Sequence, residues 1–200
     1  MSLEKAIYDF LVQDGNLSTA MEMASLLEQF KNDMHKRFWQ YFNIYMDQKI
    51  RNSEISSKWK YSPYNTRRIR QDWEKTKITP ELFKGKNQQQ LQFVFAQGGS
   101  KGGFPLYWGV CWSEPPIGFN SPLLTTLGAT LVYRNITIPE PPKWIFWGWY
   151  KKKIYDPDVL TSIYLNTDDL IAEITTDVWS LFMELQPLLE KINIEVENTK

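Results

Sequence analysis

Apolar residues from position 17 to position 50 recur every third or fourth place. Met23, Leu27, Phe30, Met34, Phe38, Tyr41 and Tyr45 fall on one line of an α-helical surface, and the spacing predicts a helix over about 19–51. Thr19 and Glu22 have the separation of a capping box, which places its start. A shorter amphipathic run before it predicts a helix over about 3–12, closed by Asp14-Gly15-Asn16. The pattern then changes to alternation over 55–61, where Lys58 and Lys60 flank Trp59, and a half-exposed strand is expected there until Pro63. Ile69 and Trp73 lie four apart among Arg67, Arg68, Arg70 and Lys75, so a short basic helix is expected over 66–76.

The clearest strands lie further on. Leu91, Phe93 and Phe95 predict a strand over 90–96, and Leu106 to Trp112 predicts a second over 105–113, joined through the glycine-rich stretch 98–103. A strand over 143–150 carries aromatics at both parities, which suits one covered on both faces. The proline-flanked segment 115–142 offers only a short strand near Thr130 to Tyr133, and its centre has no legible pattern. After Asp156-Pro157-Asp158 a turn of helix near 159–164 leads into a long helix over 168–192. Asn166 is its expected cap, Leu170, Ile174, Val178, Leu181, Leu185, Leu188 and Ile192 form its buried face, and Pro187 is expected to kink its last turns or restart them. Together these elements predict one α+β domain over 1–200, an antiparallel aromatic-rich sheet with long N-terminal and C-terminal helices packed on one face.

Composition narrows the chemistry. Lys plus Arg equals Asp plus Glu at 23 each, so nucleic-acid or anionic-membrane binding would need a local patch. The one cysteine and one histidine cannot build a Cys/His zinc site, and a lone cysteine suits a reducing compartment. No apolar run reaches the roughly 18–20 residues of a spanning helix, and the N-terminus lacks the pattern of a signal peptide, so a cytoplasmic protein without a membrane partner is expected.

No catalytic set is legible in the sequence. His35, between Met34 and Lys36, has no nucleophile in a motif with it and is expected at the boundary or surface of its helix, while Cys111 sits in a strand as a small buried hydrophobe. The stretch 98–103 is not a P-loop, because a strand and not a helix follows it. Pro157-Asp158 has the opening of a PD-(D/E)XK signature, but a helix bearing Asp168, Asp169 and Glu173 follows, with no lysine until Lys191. No catalytic residue, metal ligand or cofactor is therefore assigned, although Asp156, Asp158 and Asp168 could meet around a metal as a phosphodiesterase centre if folding joined them.

Two features could bind. Nine tryptophans stand in an aromatic fraction of 15%. Trp108, Trp112, Trp144, Trp147 and Trp149 either fill the core, the usual place for strand aromatics, or offer a base-stacking platform or small-ligand pocket. The basic run from Arg67 through Arg68, Arg70 and Lys75 to Lys77, with Tyr61, Tyr64 and Trp73 as its aromatics, is either a solvated helix face or a contact for nucleic acid or an acidic protein.

The succession Leu26-Leu27-Glu28-Gln29-Phe30-Lys31, Leu91-Gln92-Phe93-Val94-Phe95, Leu106-Tyr107-Trp108-Gly109-Val110, a Trp-rich strand and a final amphipathic helix resembles the C-terminal region of bacterial proteins in the PD-(D/E)XK nuclease superfamily. In those proteins the nuclease core precedes this region. None of its catalytic residues has a counterpart here, so the resemblance implies an accessory interaction or recognition role in DNA metabolism or defence. The expected function is a non-catalytic binding or regulatory domain recognising a protein or nucleic acid, with Trp59, Arg67, Arg68, Arg70, Trp73, Lys75, Trp108, Trp144 and Trp147 as candidate contacts.

Overall fold

The computed structural model describes residues 2–13, 15–63, 75–80, 89–99, 103–130 and 143–199. In chain order they form α1 (Leu3–Leu11), α2 (Asn16–Arg51), β1 (Trp59–Ser62), β2 (Lys75–Pro80), β3 (Leu91–Gln97), β4 (Pro105–Trp112), α3 (Pro122–Thr130), β5 (Trp144–Lys153), α4 (Pro157–Leu165) and α5 (Thr167–Asn198). The strands make an antiparallel sheet in the order β1-β2-β3-β4-β5, each paired with its neighbours in sequence. This is the expected α+β arrangement.

The inner face of the sheet presents Trp59, Tyr61, Ile78, Leu91, Phe93, Phe95, Leu106, Trp108, Val110, Trp112 and Phe146, all buried in one continuous cluster with α2, α4 and α5. Phe42 of α2 stacks on Phe95 with ring centroids 4.9 Å apart, and Phe182 of α5 meets Trp59 at 5.3 Å and Phe93 at 5.6 Å. The two long helices thus cover the sheet through aromatic contacts worth about 0.5–1.5 kcal/mol each beyond their area. Asn193 of α5 adds a polar clamp. Buried at the start of β3, its side-chain amide accepts from Leu91 N at 2.7 Å and donates to Leu91 O at 3.2 Å, satisfying both backbone groups of that residue at once.

Several boundaries differ from the pattern-based expectations. Helix α2 starts at Asn16, because Gly15 (φ 80°) makes the left-handed turn there; Thr19 bonds back to Gly15 O and caps nothing. Residues 53–58 form turns, with Lys58 N and Trp59 N both bonded to Ile55 O, so the expected strand over 55–61 is ordered as strand only from Trp59. Lys75 and Thr76 open β2 and do not close a helix. Alternating Thr76 and Ile78 point inward, and the Thr76 hydroxyl donates to Phe95 O at 2.9 Å. The rest of the expected helix 66–76, with Arg67, Arg68, Arg70 and Trp73, lies outside the described residues.

Thr130, read as the start of a strand, ends α3, and the remainder of that expected strand is outside the described residues. Helix α3 itself starts on Ser121-Pro122, where the serine hydroxyl accepts from Leu123 N at 3.1 Å and proline takes the first helical position. Helix α5 continues through Pro187 to Asn198. Pro187 is exposed, and so is Met183, whose carbonyl loses its donor, so water can replace the missing bond. Asn166 occupies the α5 cap position without a side-chain capping bond, leaving Asp168 and Asp169 to complement the helix dipole.

His35 is a clear departure, being fully buried. Its Nε2 lies 2.7 Å from Gln97 Oε1, which also accepts from Trp39 Nε1 at 2.8 Å. An indole nitrogen only donates, so the shared atom is the amide oxygen and the proton of the imidazole sits on Nε2. Nδ1 has no hydrogen-bond partner among the described residues, and the ring packs against Phe104 at 4.6 Å and Tyr155 at 5.7 Å. Burial pushes the imidazole down to about 4, against a smaller opposing effect of the Gln97 bond. His35 is therefore a neutral structural donor.

Candidate functional site

The outer face of the sheet is built by the other parity of the same strands. Strand β4 presents Tyr107, Gly109 and Cys111, and β5 presents Trp144, Trp147 and Trp149 opposite them. The ladder pairs Cys111 with Trp144 but Val110 with Phe146, so Ile145 is an extra residue on β5 and forms a bulge. Because of that residue, Trp144 shares a face with Trp147 although the two are three apart.

Gly109 is required beneath these rings. A Cβ built there would lie 2.6 Å from Phe146 O and 2.9 Å from both the Trp144 ring and Trp147 Cβ. The same relation holds on the inner face, where Trp108 crosses Gly148 at 3.2–3.4 Å from a built Cβ. Each glycine lets an aromatic ring lie flat across its strand.

Tyr107, Trp144, Trp147 and Trp149 line a mainly apolar pocket of about 170 Å³. The rings stand across one another as walls. Trp147 and Trp149 are 4.9 Å apart at 84°, and Tyr107 makes 72° with Trp147 and 81° with Trp149 at about 6 Å. Tyr107 is the buried floor, Trp144 and Trp147 are half-buried, and Trp149 is 53% exposed. Burial, with a smaller contribution from Cys111, raises the Tyr107 phenol to about 12, so it remains protonated. Strand β5 is accordingly half-open, not covered on both sides as its pattern suggests.

Beyond the pocket, β5 ends in Lys151-Lys152-Lys153, but acids on α5 answer two of these charges. Lys151 Nζ lies 3.1 Å from Glu173 and 3.3 Å from Asp177, and Lys152 Nζ lies 3.4 Å from Glu173. The Tyr150 hydroxyl donates to Asp177 at 2.8 Å; that bond and Lys151 hold the Asp177 carboxyl below its ordinary range.

The candidate contacts therefore separate. Trp144 and Trp147 meet at the outer pocket, Trp108 is buried on the inner face beside a cleft with Tyr150 and Asp177, and Trp59 is buried near the opposite edge against Phe182. Lys75 pairs through its backbone with Ala96 in β2, while Arg67, Arg68, Arg70 and Trp73 lie outside the described residues. Tyr107 belongs to the pocket and was absent from the candidate contacts, although period-two alternation from Trp108 assigns it to the opposite face. Asp158 opens α4 and Asp168 lies beyond its far end, about 13 Å along the helix, and Asp168 accepts from the Tyr45 hydroxyl at 2.9 Å. These acids do not converge on one ion. Among the described residues no group of three or more His, Cys, Asp or Glu is placed to hold a metal, and no helix is long and apolar enough to cross a membrane.

No protein-family model matches the chain, and neither a curated protein nor a solved structure matches it.

Proposed function

We propose that the chain is a non-catalytic binding module that captures a side chain of a partner protein in the outer pocket of Tyr107, Trp144, Trp147 and Trp149. The observation that carries this reading is the arrangement of four aromatic rings as upright walls around an apolar hollow at the β5 side of the sheet. Base stacking favours parallel, open ring faces beside a positive groove. Crossed walls instead enclose a compact apolar or cationic group, to which ring faces offer about 0.5–2 kcal/mol of cation–π attraction. The occupant best fitted is an alkylammonium head carried by a partner protein. The resemblance to an accessory region in nuclease-superfamily proteins accords with a recognition role of this kind.

Tryptophan emission provides the test, with tetramethylammonium chloride as the cationic probe, sodium chloride at matched ionic strength as control, and a mixed-sequence single-stranded oligonucleotide as the stacking probe. Saturable quenching by tetramethylammonium that disappears in Trp147→Ala is expected. Quenching by the oligonucleotide alone, or no saturable change with either probe, would reject a pocket for cationic side chains.

A further inference from the structure

The helix face that covers the sheet does not stop where the sheet stops. In α2 the first buried side chain is Met34, and from there the inward positions run through Phe38, Phe42, Met46 and Ile50. The same line continues toward the N-terminus through Leu27, Ala24, Met21, Ala20 and Leu17, none of them buried and none against a strand among the described residues. Residues 16–29 thus extend about 21 Å of helix before Phe30 meets Tyr164 and the core begins. The opposite line, Ser18, Glu22, Ser25, Gln29 and Asp33, is polar throughout.

Helix α1 repeats the arrangement. Leu3, Ala6, Ile7, Phe10 and Leu11 form its apolar stripe, yet it buries none of its residues. Its start is capped by the Ser2 hydroxyl, which accepts from Lys5 N at 3.3 Å, and its end is fastened to α2 by Asn16 Nδ2 donating to Phe10 O at 2.9 Å. A nine-residue helix is marginal in water without tertiary packing. The caps and the turn define a built arm whose apolar face has no cover among the described residues.

We infer that this arm, α1 with residues 16–29 of α2, packs against the same arm of a second copy to form a symmetric helical bundle. The surface is large enough. Leu3, Ile7, Phe10, Leu17, Met21 and Leu27, the large residues of the two stripes, are each 49–78% exposed. At roughly 100 Å² apiece they offer about 600 Å² of apolar surface, against about 500 Å² of apolar area per partner in a homodimer interface of standard size, about 65% of about 800 Å². Four helices joined through such stripes, with Ala20 and Ala24 permitting close approach, form a bundle core that one copy cannot make. Charge argues against a lipid surface: residues 1–30 carry Glu4, Asp9, Asp14, Glu22 and Glu28 against Lys5 alone, whereas helices that lie on anionic membranes carry lysine and arginine on their polar side.

Sedimentation equilibrium of the full chain across the micromolar range tests this, with Leu17→Glu/Met21→Glu as the disrupting variant and Glu22→Gln as the polar-face control. The wild type and the control should show twice the monomer mass, the double variant the monomer mass with an unchanged near-ultraviolet signal from the sheet aromatics. Added salt should strengthen the pairing, because the arms that meet are both acidic. A monomeric wild type, a dimer indifferent to the double variant, or a monomer that floats with phosphatidylglycerol vesicles would each overturn the assignment.

Discussion

On the inner face of the sheet Trp108 lies across Gly148 and meets Phe146 at 5.8 Å; on the outer face of the same two strands Trp144 lies across Gly109 while Trp147 and Trp149 lean on Tyr107. Residue types and glycine relief are alike. What differs is cover. The inner rings are sealed beneath the helices, so removing one leaves a cavity, whereas Trp149 has half its surface in water and gives up little on removal. Tryptophan content therefore carries no functional information here until each ring is assigned to a face.

The sharpest way to expose the contrast is truncation beneath the helices. Phe182→Ala removes the ring that touches Trp59, Phe93 and Trp179, and should lower unfolding free energy by about 3–5 kcal/mol in urea titrations. A loss comparable to that of a surface substitution would show that the inner seal is not where stability resides.

A second probe asks how strictly the inner face excludes charge. His35 titrates near 4 when folded and near 6.5 when unfolded, so above pH 6.5 it is neutral in both states and costs nothing. Between pH 6.5 and about 4 the unfolded chain gains the proton first, and stability falls by up to roughly 3 kcal/mol. Urea midpoints measured across that window should slope downward toward acid in the wild type, and this part of the slope should vanish in His35→Gln. An equal slope in both proteins would assign the acid sensitivity to other groups.

The smallest effect is expected on the outer face, where Trp149→Ala should cost under about 1 kcal/mol. A larger loss would mean that the open rings brace the sheet.

Much of this fold was legible because single faces of single elements carried it. The lines Met34-Phe38 and Leu170-Ile174-Val178-Leu181 mark α2 and α5, and the alternation Leu91-Phe93-Phe95 marks β3. The helix boundaries were harder, because Gly15 and the Ser121-Pro122 pair act through backbone angle and capping, which leave no hydrophobic period. The burial of His35 is written in its helical neighbours and not in Met34 and Lys36 beside it: Phe38, Trp39 and Phe42, at three, four and seven residues on, place it in the core. The pocket was half legible. Trp144 and Trp147 stood out by type, but their shared face depends on a bulge, and a bulge shows only once the partner strand is known.

That dependence on Ile145 has a consequence for how the chain can change. Because one added residue keeps Trp144 beside Trp147, the membership of the pocket is written in a count of residues as much as in their kinds. Removing Ile145 would force β5 to choose between drawing Trp144 inward and turning Trp147 and Trp149 inward. A one-codon deletion could thus erase the pocket while every tryptophan remained, a route that an inventory of aromatic positions would never register.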